Sequence, residues 1–210
     1  MATSSFFDPP PSTAWMHREA REGFEVCFFD RDDDGFVARG TTAAVEEGQA
    51  RRTPSSAAGE APVCWAVEYT IRLDAGWRTR DATVRTRTVA GAGETRLELD
   101  PGGRWRVDGA ERPDLDGILD VDLESSSMTN AFPVRRLGLA VGASARTPAA
   151  WVRALDLAVE PLDQDYERLA DRGDKQRFAY DSPADGFSAE LAYDRSGLVL
   201  EYPGIAVRAA

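Results

Sequence analysis

The feature that most limits what this chain can fold into is its rhythm: short runs of alternating apolar and polar residues, cut by turn dipeptides at short intervals. Asp34-Gly35, Ala75-Gly76, Gly102-Gly103, Asp108-Gly109, Asp185-Gly186 and Ser196-Gly197 all sit where tight hairpins turn. Between them the pattern predicts strands over Phe24–Phe29, Gly35–Thr42, Val63–Leu73, Arg80–Val89, Glu94–Asp100, Arg104–Val107, Ile118–Glu124, Val134–Leu139, Val152–Glu160, Gln164–Leu169, Arg177–Asp181, Phe187–Tyr193 and Val199–Tyr202. In the third of these, Val63, Trp65, Val67, Tyr69, Ile71 and Leu73 share one face, and Cys64, Ala66, Glu68, Thr70 and Arg72 take the other. Two-faced strands of this kind belong to one curved sheet or barrel wall. The expected fold class is therefore all-β and mainly antiparallel: a single many-stranded, curved or incompletely closed β-barrel with few short helices. Pro148–Leu155 is the one place where a helical turn is expected.

Residues 1–13 read as a disordered N-terminal tail, and 14–210 as one β-barrel-like domain with a mobile loop at 46–62, a stretch without large apolar residues. A chain of 210 residues has enough sequence to bury a core without a disulfide framework. Isolated cysteines supply neither a zinc knuckle nor a redox pair, so Cys27 and Cys64 are read as two buried free thiols, with one disulfide between them as the alternative. His17 is the only histidine, which excludes histidine-rich metal sites and His-Glu-x-x-His hydrolases. Against 36 acidic residues stand 25 basic ones, of which only Lys175 is lysine, so the net charge is −11. That balance argues against nucleic acid and against an anionic membrane surface, except through a local basic patch. No run of 18 apolar residues spans a membrane, and the N-terminal residues do not form a secretory signal, so a cytoplasmic location is expected.

Chemistry-bearing residues concentrate in Asp120-Val-Asp122-Leu-Glu124 and the following Thr129-Asn130-Ala-Phe-Pro-Val-Arg135-Arg136. Alternation places Asp120, Asp122 and Glu124 on one strand face, and an antiparallel return through Arg135 and Arg136 would lay guanidinium groups across them. Two readings follow: a polar site for a sugar hydroxyl, a head group or a divalent cation, or an ion-pair and turn-capping network that holds the sheet in register. Gln164 and Tyr166, two apart on one strand, would line a cavity or pack within the sheet, and Tyr202 closes a hydrophobic strand stopped by Pro203-Gly204. Trp65 would contribute an aromatic wall. No nucleophile elbow, P-loop or dinucleotide fingerprint occurs, so no catalytic residue and no cofactor is predicted.

The series Trp77-Arg-Thr-Arg80, Gly103-Arg-Trp105-Arg-Val-Asp108-Gly109, Asp120-Val-Asp122-Leu, Thr129-Asn130-x-x-Pro133-x-Arg135-Arg136-Leu137, Gln164-x-Tyr166 and Gly197-Leu-Val-x-x-Tyr202-Pro203-Gly204 resembles the bacterial family described as putative glycolipid-binding. The resemblance runs from about Trp15 to the end. It implies an incompletely closed β-barrel similar to the periplasmic lipoprotein-carrier proteins, and a non-enzymatic role in binding a lipid or glycolipid. On this reading an apolar chain lies in the half-open barrel beside Trp65 and Leu198, with Asp120, Asp122, Thr129, Asn130, Arg135, Arg136, Gln164, Tyr166 and Tyr202 as candidate ligand-binding residues. Two alternatives stand beside it: a carboxylate- or metal-dependent enzyme using Asp120, Asp122 and Glu124 on a sugar-containing or phosphorylated substrate, and a protein-interaction scaffold. The expected assembly is a monomer or weak homodimer.

Overall fold

A computed structural model describes residues 6–46, 62–184 and 186–210; most of the loop expected over 46–62, and the first residues of the expected tail, lie outside them. The strands are β1 (Ser12–His17), β2 (Glu22–Asp32), β3 (Gly35–Glu46), β4 (Val63–Asp74), β5 (Thr79–Thr88), β6 (Gly91–Leu99), β7 (Trp105–Val107), β8 (Ala110–Glu111), β9 (Asp120–Leu123), β10 (Ser144–Arg146), β11 (Ala149–Val152), β12 (Val159–Leu162), β13 (Asp165–Arg172), β14 (Lys175–Ser182), β15 (Phe187–Tyr193), β16 (Val199–Tyr202) and β17 (Ala206–Arg208). The one α-helix is α1 (Ala131–Leu137).

Fourteen strands form one antiparallel sheet in the order β10-β13-β14-β15-β16-β17-β1-β2-β3-β4-β5-β6-β7-β8. The sheet is not closed: its edges are β10 and β8, three and two residues long, too short to template much further pairing. β9, β11 and β12 make a separate small sheet, with β9 and β11 parallel. The alternation in β4 is realised as read, with Trp65, Val67, Tyr69, Ile71 and Leu73 buried and Cys64, Glu68 and Arg72 exposed; of the two free thiols only Cys27 is therefore buried, and Cys64 is corrected to the outer face.

Four expectations are corrected. Val134–Leu139 is not a strand but the body of α1 and its exit. Pro133 is the third residue of this helix, where its missing N–H falls among groups that have no intrahelical partner, and Gly138 (φ 53°) closes the helix in the left-handed conformation that glycine tolerates. The helical turn expected within Pro148–Leu155 is β11 instead, paired on both sides. The strand expected over Val152–Glu160 is split by a tight loop in which Arg153 N donates to Ala158 O at 2.9 Å. In the N-terminal segment, Ser12 and Thr13 belong to β1, and Phe7 N donates to Arg195 O at 3.0 Å, so residues 6–13 are held against the fold rather than frayed.

What fills the concave face of the large sheet is the chain's own middle. Residues 115–137 and 149–159 pack Leu115, Val121, Leu123, Met128, Phe132 and Val152 against Trp15, Val67, Ile71 and Leu97 of the sheet. Inward-facing threonines anchor this plug: Thr42 Oγ1 donates to Ser125 O at 2.8 Å, Thr86 Oγ1 to Ala154 O at 2.7 Å, and Thr79 Oγ1 accepts Val121 N at 3.0 Å. Each such bond is worth about 1 kcal/mol net, and leaving its partner buried and unpaired costs more.

Candidate functional site

The polar residues singled out in the sequence converge, but on the plug rather than on an open cavity. Asp120, at the start of β9, accepts Arg136 Nε at Oδ1 (3.1 Å) and Arg136 Nη2 at Oδ2 from the last turn of α1, and Thr147 Oγ1 donates to the same Oδ2 at 3.2 Å. Asp122 accepts Thr129 Oγ1 at 2.6 Å and Gln164 Nε2 at 2.7 Å, and the same Gln164 amide reaches the Tyr180 hydroxyl at 3.2 Å. Tyr166 donates to Asn130 Oδ1 at 2.8 Å. Burial pushes the carboxyls of Asp120 and Asp122 above the usual range, against the pull of these donors. Glu124 turns elsewhere and accepts Ala154 N at 2.8 Å. The three acids are thus each engaged by separate partners. Among the described residues no group of three or more His, Cys, Asp or Glu side chains comes together as a metal site would need.

Arg135 does not cross the acidic row, because a helix, unlike a return strand, sends adjacent residues in different directions. Its guanidinium donates to Phe7 O at 2.9 Å and to Ser196 O, and lies 3.8 Å from the centroid of the Trp77 ring. Burial lowers its pKa to about 10. Tyr202 packs edge-on against Tyr180, ring centroids 5.9 Å apart, in a second aromatic cluster with Tyr166, Phe178 and Tyr193. Trp65 stands apart, 4% exposed, with Nε1 donating to Glu46 Oε1 at 3.1 Å; Leu198 is 0% exposed. Both belong to the packed core, in one buried cluster with the plug residues Leu123, Met128 and Phe132.

Sequence reasoning missed a further buried acid. Glu25 on β2 lies on the same inner face and accepts Tyr69 Oη at 2.6 Å, Ser126 Oγ, and Ser127 N at 2.9 Å. Burial raises its pKa. Alternation gave no signal for it, since the more uniformly apolar side of the strand, Phe24, Val26 and Phe28, is the outer one, and Glu25 shares the inner side with Cys27 and Phe29.

The outer face of the sheet is where accessible surface is organised. Strand register sets out its rows. Nearest the β1–β2 turn run Met16, Phe24, Ala43, Ala66 and Arg87; next come Val26, Thr41, Glu68 and Arg85; then Phe28, Arg39, Thr70, Thr83 and Arg96; and last Arg72, Asp81 and Glu98. The face therefore grades from apolar to charged along the strands. Phe24 and Phe28 are 50% and 55% exposed. A depression of about 240 Å³ lies over the middle rows, lined by Val26, Phe28, Arg39, Thr70, Thr83 and Arg85 among others. It meets, at Thr83, a groove of about 800 Å³ bordered by Arg72, Arg78, Arg80, Arg96, Glu98 and Leu119. Most of these charges are paired, as Arg72 is with Asp81 at 2.8 Å and Arg80 with Asp34 at 2.7 Å, whereas the Arg78 side chain has no carboxylate partner among the described residues.

Comparison with known proteins agrees with this architecture. A family profile described as "Putative glycolipid-binding" matches residues 12–208. The chain is similar to a DUF1089 family protein from Pseudomonas aeruginosa of known crystal structure, at 27% identity and a TM-score of 0.66 over 98% of this chain and 96% of that one. It also matches a beta-barrel-like protein of the domain of unknown function DUF1849 from Brucella abortus, at 12% identity and a TM-score of 0.49 over 94% and 93% of the two chains. Among curated proteins none matches.

Proposed function

The chain belongs to the family described as putative glycolipid-binding, and from that premise we propose that it is a non-enzymatic binding protein for a lipid or glycolipid, taken on the outer face of the sheet rather than inside it. The observation that carries this reading is the gradient on that face: exposed Phe24 in the row nearest the β1–β2 turn, exposed Phe28 two rows further on in the same row as Arg39 and Thr83, and an arginine-bordered groove beyond, reached through Thr83. An amphipathic molecule matches such a gradient. Its acyl chain covers Met16, Phe24, Val26 and Phe28, and its head group meets Arg39, Thr70, Thr83 and the groove beyond. Covering about ten methylenes at about 0.8 kcal/mol each gives roughly 8 kcal/mol gross, which association costs bring down to micromolar affinity or weaker. The Asp120–Arg136 and Asp122–Thr129–Gln164 contacts then act as plug anchors and leave the ligand to the outside.

The test is titration with a water-soluble, single-chain glycolipid bearing a fluorescent acyl label. The double variant F24S/F28S, altered only at exposed positions, is expected to bind at least tenfold more weakly while keeping its melting temperature. Unchanged affinity in the folded variant would remove the outer face as the binding surface.

A further inference from the structure

Of the eight large apolar side chains exposed among the described residues, five lie at one end of the sheet: Met16, Phe24, Val45, Val89 and Leu155. Val89 is 99% exposed at the tip of the two-residue turn between Thr88 and Gly91, a turn braced by Ala90 N donating to Thr88 Oγ1 at 3.1 Å. Beside it projects the loop between β11 and β12, tied to β5 by the Thr86–Ala154 bond. Within that loop Leu157 adopts a left-handed conformation (φ 59°) and is buried, while Leu155 is left 40% exposed. A leucine held at positive φ is strained, so packing elsewhere in the fold holds the loop in this shape.

Among the described residues fifteen arginines have a carboxylate within ion-pair distance; Arg18, Arg87 and Arg153 at this end have none, as is also true of Arg78, Arg135, Arg172 and Arg195 elsewhere. Arg153 instead lies 5.0 Å from the centroid of the Trp151 ring. The acids nearby are Glu19, Glu22 and Asp156, the last of which accepts Ala158 N at 3.0 Å. Among the described residues this end also holds the Arg21–Glu46 pair, 3.9 Å apart.

We propose that this end of the sheet docks on a lipid bilayer, with Val89 and Leu155 entering the acyl boundary and Arg18, Arg87 and Arg153 meeting lipid phosphates. Apolar tips flanked by arginine have the composition of an interfacial anchor, in which the apolar groups enter and the guanidinium groups stay at head-group depth. The proposal rests on the reading that the ligand is a lipid: Phe24 and Met16 belong both to this end and to the apolar rows, so a lipid leaving the bilayer would pass directly onto the outer face.

The experiment is co-sedimentation of the full chain with vesicles of phosphatidylcholine containing a minor fraction of phosphatidylglycerol, alongside titration with the soluble glycolipid. Wild type is expected to sediment with vesicles, and V89D/L155D to partition at least tenfold less while binding the soluble ligand as wild type does. R87E/R153E is expected to weaken vesicle binding most at low salt. Wild type that stays in the supernatant, V89D/L155D that sediments undiminished, or a wild-type dimer broken by V89D/L155D without vesicle binding would each overturn the docking surface. Sedimentation without any soluble-ligand binding would support docking and overturn the ligand reading instead.

Discussion

Replacing Arg136 with leucine tests the claim that the plug is held by buried polar contacts. In the folded protein Asp120 receives two bonds from Arg136, and its remaining partner is Thr147. Removing one member of a buried pair leaves an uncompensated charge and costs about 3–5 kcal/mol, whereas replacing both by apolar groups is often close to neutral. R136L is therefore expected to lose about 3–5 kcal/mol at neutral pH, and D120L/R136L to recover most of that loss, a coupling read from the double-mutant cycle. The pH dependence has a definite sign. Burial already raises the Asp120 pKa, and loss of the guanidinium raises it further. A carboxyl whose folded pKa lies above its unfolded value binds more protons when folded, so its contribution is present in acid and is lost as pH rises through the folded value. The R136L deficit should accordingly shrink on mild acidification. Urea unfolding followed by tryptophan fluorescence at neutral and mildly acidic pH measures both effects. A loss below about 1 kcal/mol, or a deficit that grows in acid, would refute the argument that this pair is desolvated and uncompensated when halved.

The other predictions concern single positions on the inner face. Burial, and then the neighbouring Arg21, depress the His17 pKa from 6.5 to about 4, so its contribution is present above 6.5 and is lost as pH falls from 6.5 toward 4, by up to about 3 kcal/mol. H17Q should flatten that limb of the pH–stability curve, and an unchanged slope would show that His17 does not set it. A Cβ on Gly40 would sit 2.2 Å from the Tyr69 ring, so G40A should destabilise by about 1–3 kcal/mol by calorimetry and displace the tyrosine from Glu25. T86V leaves the Ala154 carbonyl buried without its donor and should cost about 1–3 kcal/mol, with faster amide exchange in the loop between β11 and β12 as the local signature.

The strand pattern was legible because alternation is local. A residue such as Ile71 or Leu97 announces its face through its immediate neighbours, and Asp-Gly and Gly-Gly pairs announce the turns. The outer gradient was equally present in the chain, strand by strand, but only register aligns Phe24 with Ala43, Ala66 and Arg87 into a row. The candidate polar residues meet in separate pairs and small groups: Asp120 with Arg136, Asp122 with Thr129 and Gln164, and Asn130 with Tyr166. Their partners Tyr180 and Thr147, and the separate Glu25 cluster, were not found, because each is brought in from a part of the chain distant in sequence.

Local periodicity, turn chemistry and family resemblance thus determined by themselves that this chain makes an open antiparallel sheet with a polar segment at its centre. Tertiary structure decided the rest. Val134–Leu139 reads as a strand in isolation, yet Pro133 within the first helical turn and Gly138 at its exit let it coil into α1, where packing against Tyr166 and Phe178 rewards the helical face. That one change sends Arg136 to Asp120 and Arg135 to Trp77, and seats residues 115–137 inside the sheet instead of leaving room there for a ligand. Whether an apolar face is covered by the chain itself or left to a partner depends on contacts between residues a hundred positions apart, and no local pattern encodes them.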